Sequence, residues 1–167
     1  VLAGVALYWA GMILNDIFDV EQDRKQRPRR PIPAGLIPLG QAKTVGWLLL
    51  LAGIGFATAA GRIPADGVPL TWLPAVVGLA LAVMIVAYDG PLKKTPLAPV
   101  AMGGCRVLSF LLGASPCFAI VAGTPLFEKY IWGIAVGFGI FIMGITTMAR
   151  REATGGPSSN LQIGLMI

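Results

Sequence analysis

The sequence predicts an all-α, polytopic bundle of membrane-spanning helices. Hydrophobic residues make up 56% of the 167 and charged ones only 13%, where a soluble domain carries roughly 25% charged residues. Mean hydropathy is +0.76. Four runs contain no charge at all, residues 46–61, 67–88, 107–127 and 130–149. Each approaches the ~20 residues that cross a hydrocarbon core at about 1.5 Å per residue.

A first apolar stretch, 1–14, precedes these runs and stops at Asn15. It is short for a span, the chain opens on Val1, and 161–167 reads as the start of another span. The expectation is one transmembrane domain over 1–167, incomplete at both ends. No basic leader with a small-residue cleavage site is visible.

Lysine and arginine assign the orientation. The polar segments in order hold six (Arg24, Lys25, Arg27, Arg29, Arg30, Lys43), one (Arg62), three (Lys93, Lys94, Arg106), one (Lys129) and two (Arg150, Arg151). This alternation is what the positive-inside rule expects when each apolar run crosses once. It puts the first, third and fifth segments in the cytoplasm. The net charge of +5 is thus topological, and nucleic acid is not expected as a partner. Arg62, Asp66, Glu128 and Lys129, on the other face, read as interfacial anchors.

Several chemistries are excluded. There is no histidine, which removes HExxH zinc sites and Ser-His-Asp catalysis. No Walker A or dinucleotide fingerprint occurs. Cys105 and Cys117 lack CxxC spacing and read as small buried hydrophobes. In 130–149, Gly133 and Gly137 form a GxxxG pattern that, with Gly139 and Gly144 nearby, predicts close packing of the helix carrying Arg150 on a neighbour. Pro99 and Pro116 are expected to start or kink the helix between them. Trp47, Trp72 and Trp132 read as interfacial anchors, and Trp9 could line a cavity.

The chemistry concentrates where the first apolar stretch ends, in Asn15-Asp16-Ile17-Phe18-Asp19-Val20-Glu21-Gln22-Asp23. Asp16, Asp19 and Asp23 are spaced i, i+3, i+7, one stripe of a 3.6-residue helix, and Asn15 can share it. Like charges so close are favourable mainly when a cation neutralises them, so the stripe reads as a divalent-metal site. Glu21 points off it, to solvent. Magnesium is usually held by one or two carboxylates plus phosphate oxygens, and a basic, proline-rich run follows at once. A diphosphate substrate fits both halves.

These residues resemble the first aspartate-rich motif of UbiA-type prenyltransferases: Asn15-Asp16-x-x-Asp19-x-x-x-Asp23, then Arg27-Pro28-Arg29-Arg30-Pro31-Ile32-Pro33-Ala34-Gly35. The compact form is most similar to the branch with chlorophyll synthases and archaeal geranylgeranylglyceryl-phosphate prenyltransferases. Tyr88-Asp89-Gly90-Pro91-Leu92-Lys93-Lys94-Thr95 is similar to the family's Tyr…Lys-Lys/Arg…Thr segment. The likeness covers nearly the whole chain, as about the second to sixth helices of a nine-helix fold. One departure stands out. Where a second aspartate-rich motif belongs, the chain has Thr146-Thr147-Met148-Ala149-Arg150-Arg151-Glu152, with a single acid. With Met102-Gly103-Gly104-Cys105-Arg106, this resembles a divergent, EboC-like branch.

The resemblance implies an integral-membrane enzyme that moves a polyprenyl group from its diphosphate to a small, unidentified acceptor, with Mg²⁺ as cofactor. It implies that Asn15, Asp16, Asp19, Asp23 and Glu152 bind the metal. Arg30, Lys93, Lys94, Arg150 and Arg151 would contact diphosphate, together with Asn15. Asp19, Asp23, Tyr88 and Lys93 would be catalytic, the Tyr88 ring facing the allylic carbon. Asp89 could bind metal or shape a turn. The alternative is a non-catalytic prenyl-lipid carrier on the same fold, suggested by the reduced second motif. An ion transporter would need midplane charges, and the four later uncharged runs hold none.

Overall fold

The computed structural model describes residues 1–64, 70–118 and 126–153, with backbone alone for 151–153. Helices make up the architecture of the described residues: α1 (Leu2–Phe18), α2 (Val20–Gln26), α3 (Leu39–Arg62), α4 (Leu73–Ala87), α5 (Ala98–Ala114) and α6 (Lys129–Ala153). A π-helical turn, Tyr88–Leu92, extends α4, and a 3₁₀ turn, Ser115–Cys117, extends α5. Prolines mark the starts. Pro38 precedes α3, Pro74 lies in the first turn of α4 and Pro99 in that of α5, where a missing N–H breaks no helical bond. Pro116 sits in the 3₁₀ turn that ends the α5 span.

Four helices are long and apolar enough to cross a membrane, and α1 with α2 counts as a fifth if that bent pair is one span. Between 17% and 39% of each long span is buried within the chain. The outer faces carry Leu48, Leu51, Val83, Phe138 and Phe141, all exposed. Such apolar surface is untenable in water and natural in lipid. This is an integral membrane protein.

Neighbours in sequence pack antiparallel: α1 on α3, α3 on α4, α4 on α5 and α5 on α6. One apolar core joins Leu7, Ala10 and Leu14 of α1 with Leu50 and Ala57 of α3. Leu81 and Ile85 of α4, Leu111 and Leu112 of α5 and Ala135 of α6 complete it. The alternating directions bring the C-terminal ends of α1, α4 and α6 together with the N-terminal ends of α3 and α5. All the polar motifs therefore share one end of the bundle.

Four sequence expectations change. First, α1 does not continue as a straight helix: the chain bends by 63° between α1 and α2 at Asp19. The bend turns Val20 and Asp23 inward while Glu21, Gln22, Arg24, Lys25 and Gln26 stay exposed. Continued straight at about 100° per residue, α1 would carry Val20 and Asp23 roughly 120–180° round from its buried stripe of Leu7, Ala10 and Leu14. Secondly, the third later span is Ala98–Cys117 rather than 107–127. Arg106 lies within it, not in a loop, so the third polar segment keeps Lys93 and Lys94 alone and the alternation survives. The premise that the later spans lack charge does not survive. Thirdly, Gly133 and Gly137 face open space, with nothing within 4 Å of an added Cβ. The close approach of α5 and α6 is made by Gly103 and Gly139: a Cβ on Gly103 would lie 2.7 Å from the Gly139 carbonyl oxygen. Fourthly, Cys117 is exposed and Cys105 only half-buried.

Other expectations hold. Trp47, Trp72 and Trp132 are exposed, and Trp72 carries the Arg62 guanidinium 4.7 Å from its ring centroid. Trp9 faces outward. Glu21 is exposed and pairs with Arg24 at 2.8 Å. Asp66 lies outside the described residues.

Candidate functional site

The basic loop after α2 is built to return on itself. Pro28, Pro31 and Pro33 lock φ and forbid a helix. Successive turns wind the segment instead, with Arg30 N–H bonded to Arg27 O at 3.1 Å, Ala34 N–H to Arg30 O at 2.9 Å and Ile37 N–H to Pro31 O at 3.2 Å. Gly35 takes φ +76°, a left-handed conformation that residues with a Cβ rarely adopt. The result points Arg30 back at the helix ends.

Arg30 Nη1 donates to Asp16 Oδ1 at 3.0 Å and to Asp23 Oδ2 at 2.8 Å. Because both oxygens share one nitrogen, they stand no further apart than the sum of those distances. Lys93 follows the π-helical turn of α4, and its Nζ donates to both Asn15 Oδ1 and Asp19 Oδ2. The bend at Asp19 thus sorts the motif into two pairs, Asp16 with Asp23 and Asn15 with Asp19, each closed by one cation. Arg150, at the far end of α6, donates from Nη1 to the Thr95 carbonyl oxygen at 2.7 Å. That ties α6 to the segment carrying Lys93. Lys94 is exposed and joins none of these ion pairs. The side chains of Arg151 and Glu152 lie outside the described residues.

The oxygen donors are of the hard type magnesium prefers. Among the described residues no three acidic or thiol side chains gather closely enough to hold a metal alone. Magnesium does not need three, since phosphate oxygens and water complete its shell. Two adjacent carboxylates already closed around a guanidinium are an arrangement that accepts a cation. The residues fit the ion.

A cavity opens beside this cluster between α1, α4 and α5. Asn15, Tyr88 and Asp89 form its polar end, and Leu7, Tyr8, Met12, Leu81, Ile85 and Met102 its apolar walls. Gly4 and Gly11 line it from α1 without side chains of their own. Asp89 is buried within the π-helical turn. Arg106 and Ser109 of α5 line the same cavity.

A family model described as "UbiA prenyltransferase family" matches residues 1–156. The chain belongs to the UbiA family. Curated relatives of this UbiA chain include three proteins named digeranylgeranylglyceryl phosphate synthase. That of Methanobrevibacter smithii is 31% identical over 139 residues, 78% of this chain and 45% of the relative. That of Methanoculleus marisnigri is 37% identical over 121 residues, 71% of this chain and 39% of the relative. The one from Methanothermobacter thermautotrophicus is 35% identical over 153 residues, 90% of this chain and 47% of the relative. The chain spans less than half the length of each. No solved structure gives a significant match to it.

Of the residues singled out in the sequence, Asn15, Asp16, Asp19, Asp23, Arg30 and Lys93 meet in one cluster, with Tyr88 on the adjoining cavity wall. The charge pattern alone puts Arg106 in a loop, and no motif marks Ser109. The signal was present: the apolar run resumes at Pro99 and passes through Arg106 without a turn residue to stop it.

Proposed function

We propose that this UbiA-family chain carries the diphosphate-binding site of a membrane prenyltransferase, in one transmembrane domain with its polar end toward the cytoplasm. The observation that carries the reading is Lys93 bonded to Asn15 and Asp19, because it unites two motifs 74 to 78 residues apart. Acids for a metal and cations for an anion then stand at the mouth of an apolar cavity. Magnesium is a general feature of the family, and when bound it would neutralise charge growing on the departing diphosphate.

The chain's own residues do the rest. Asn15, Asp16, Asp19 and Asp23 present oxygens to the Mg²⁺-diphosphate, with Glu152 on the α6 side. Arg30 and Lys93 exchange carboxylate partners for phosphate oxygens, joined by Lys94, Arg150 and Arg151 from the neighbouring segments. Fixed cations at a leaving group stabilise it as the allylic C–O bond breaks. The Tyr88 ring faces the carbon left electron-poor, and the acceptor's nucleophile bonds to that carbon. The name shared by the curated relatives makes a prenylated glyceryl phosphate a leading acceptor candidate.

The test is transfer of radiolabelled prenyl diphosphate to an acceptor panel by the membrane-reconstituted protein. Lys93→Ala and Asp19→Asn should each lower turnover by about 10²–10³-fold, the range for loss of one charge-stabilising contact, while membrane insertion is kept. Full activity in Asp19→Asn would remove this motif from the reaction. Saturable prenyl-diphosphate binding without any product would favour a carrier.

A further inference from the structure

We propose that Arg106 anchors an anionic oxygen group, carboxylate or phosphate, on the prenyl acceptor, and so selects which acceptors are used. The inference rests on the prenyl-transfer reading above. Arg106 is eight residues into α5, counted from Ala98, or about 12 Å along the helix at ~1.5 Å per residue. A cation at that depth in a span is unfavourable unless something compensates it. Its Nε is sealed from solvent and has no hydrogen-bond partner among the described residues. No ion pair there joins it to Asp89, the acid on the same cavity.

The cavity shows what would compensate it. Arg106 and Ser109, one helical turn apart, bring the only strongly polar groups among its α5 lining residues, beside Met102 and Cys105. The facing walls are Leu7, Tyr8, Leu81 and Ile85. An arginine in an apolar pocket suits a planar or tetrahedral oxyanion, which its fork of N–H donors binds bidentately. The prenyl diphosphate is not that anion, because its cations, Arg30 and Lys93, stand at the polar end with the aspartates. An acceptor held by its anion at Arg106 would reach from mid-cavity toward Asn15, Tyr88 and Asp89. Its nucleophile then lies between the anchor and the diphosphate end, where a prenyl group is released.

The experiment uses acceptor pairs that differ in the anion alone: 4-hydroxybenzoate against 4-hydroxybenzamide, and a prenylglyceryl phosphate against the prenylglycerol. Arg106→Met should raise KM for the anionic member by at least about tenfold, the loss of one charged hydrogen-bonded contact. KM for the neutral member and for prenyl diphosphate should stay within about twofold, and Arg106→Lys should recover part of the loss. A second arm needs no turnover. Binding of 4-hydroxybenzoate and of the glyceryl phosphate to the reconstituted protein, followed calorimetrically, should favour each over its neutral partner and lose that preference in Arg106→Met. Equal losses for charged and neutral acceptors would show a packing role and overturn the proposal. So would a rise in KM confined to prenyl diphosphate, which would place the leaving group at Arg106. If the native protein prenylates no acceptor, the transfer reading fails by itself, and the calorimetric preference still decides Arg106.

Discussion

Arg30 holds Asp23 through a 2.8 Å ion pair that closes seven residues of chain, and the Asp23 side chain is only 6% exposed. A buried carboxylate is tolerable when paired and expensive when its partner is removed. The proline-rich loop is therefore part of the folded bundle end, not a solvated tail.

Arg30→Leu should destabilise the protein by about 3 kcal/mol, the lower end for breaking a buried pair, since Arg30 itself stays partly exposed. Removing both charges in Arg30→Leu/Asp23→Leu should recover most of that loss, although not activity. Thermal unfolding in detergent, followed by circular dichroism, checks the order of the three proteins.

Chelation should abolish transfer without loosening the fold. Asp16 and Asp23 already share Arg30, and Asp19 with Asn15 already carries Lys93, so the carboxylates are not left to repel one another. Treatment with a chelator followed by Mg²⁺ repletion should switch activity off and on while the melting temperature stays constant. A large fall in melting temperature on chelation would mean that the metal, not these two side chains, holds the cluster.

Gly103→Ala should separate α5 from α6. Its new Cβ would stand 2.7 Å from the Gly139 carbonyl oxygen, backbone that can yield only by moving the helices. Overpacking of this kind costs about 1–3 kcal/mol. Gly133→Ala meets nothing within 4 Å and should be neutral or stabilising by up to ~1 kcal/mol from helix propensity. Melting temperatures of the two variants should move in opposite directions or differ plainly in size.

Tyr88 lines the cavity next to Asn15 and Asp89. If its ring face stabilises positive charge, Tyr88→Phe should keep most activity, whereas Tyr88→Leu should lose about tenfold, matching the ~1–2 kcal/mol of a desolvated cation–π contact. Steady-state kcat at saturating substrate separates this from weaker binding. An equal loss in both variants would assign the effect to the hydroxyl.

The chain by itself determined the class of the fold and the identity of the cluster. Uncharged runs near the length of a bilayer admit helices and little else, because unsatisfied backbone groups are intolerable in lipid. The spacing Asn15-Asp16-x-x-Asp19-x-x-x-Asp23 with Arg30 and Lys93 named residues that do meet. Tertiary structure alone decided the pairings within that cluster, the bend at Asp19, and the place of Arg106. Periodicity describes one straight helix at a time, so it cannot foresee a 63° turn that reassigns partners. Nor can it tell an arginine at a span end from one facing a cavity. That distinction depends on which helices stand opposite, and for Arg106 those are α4, the helix before it, and α1, far away in sequence.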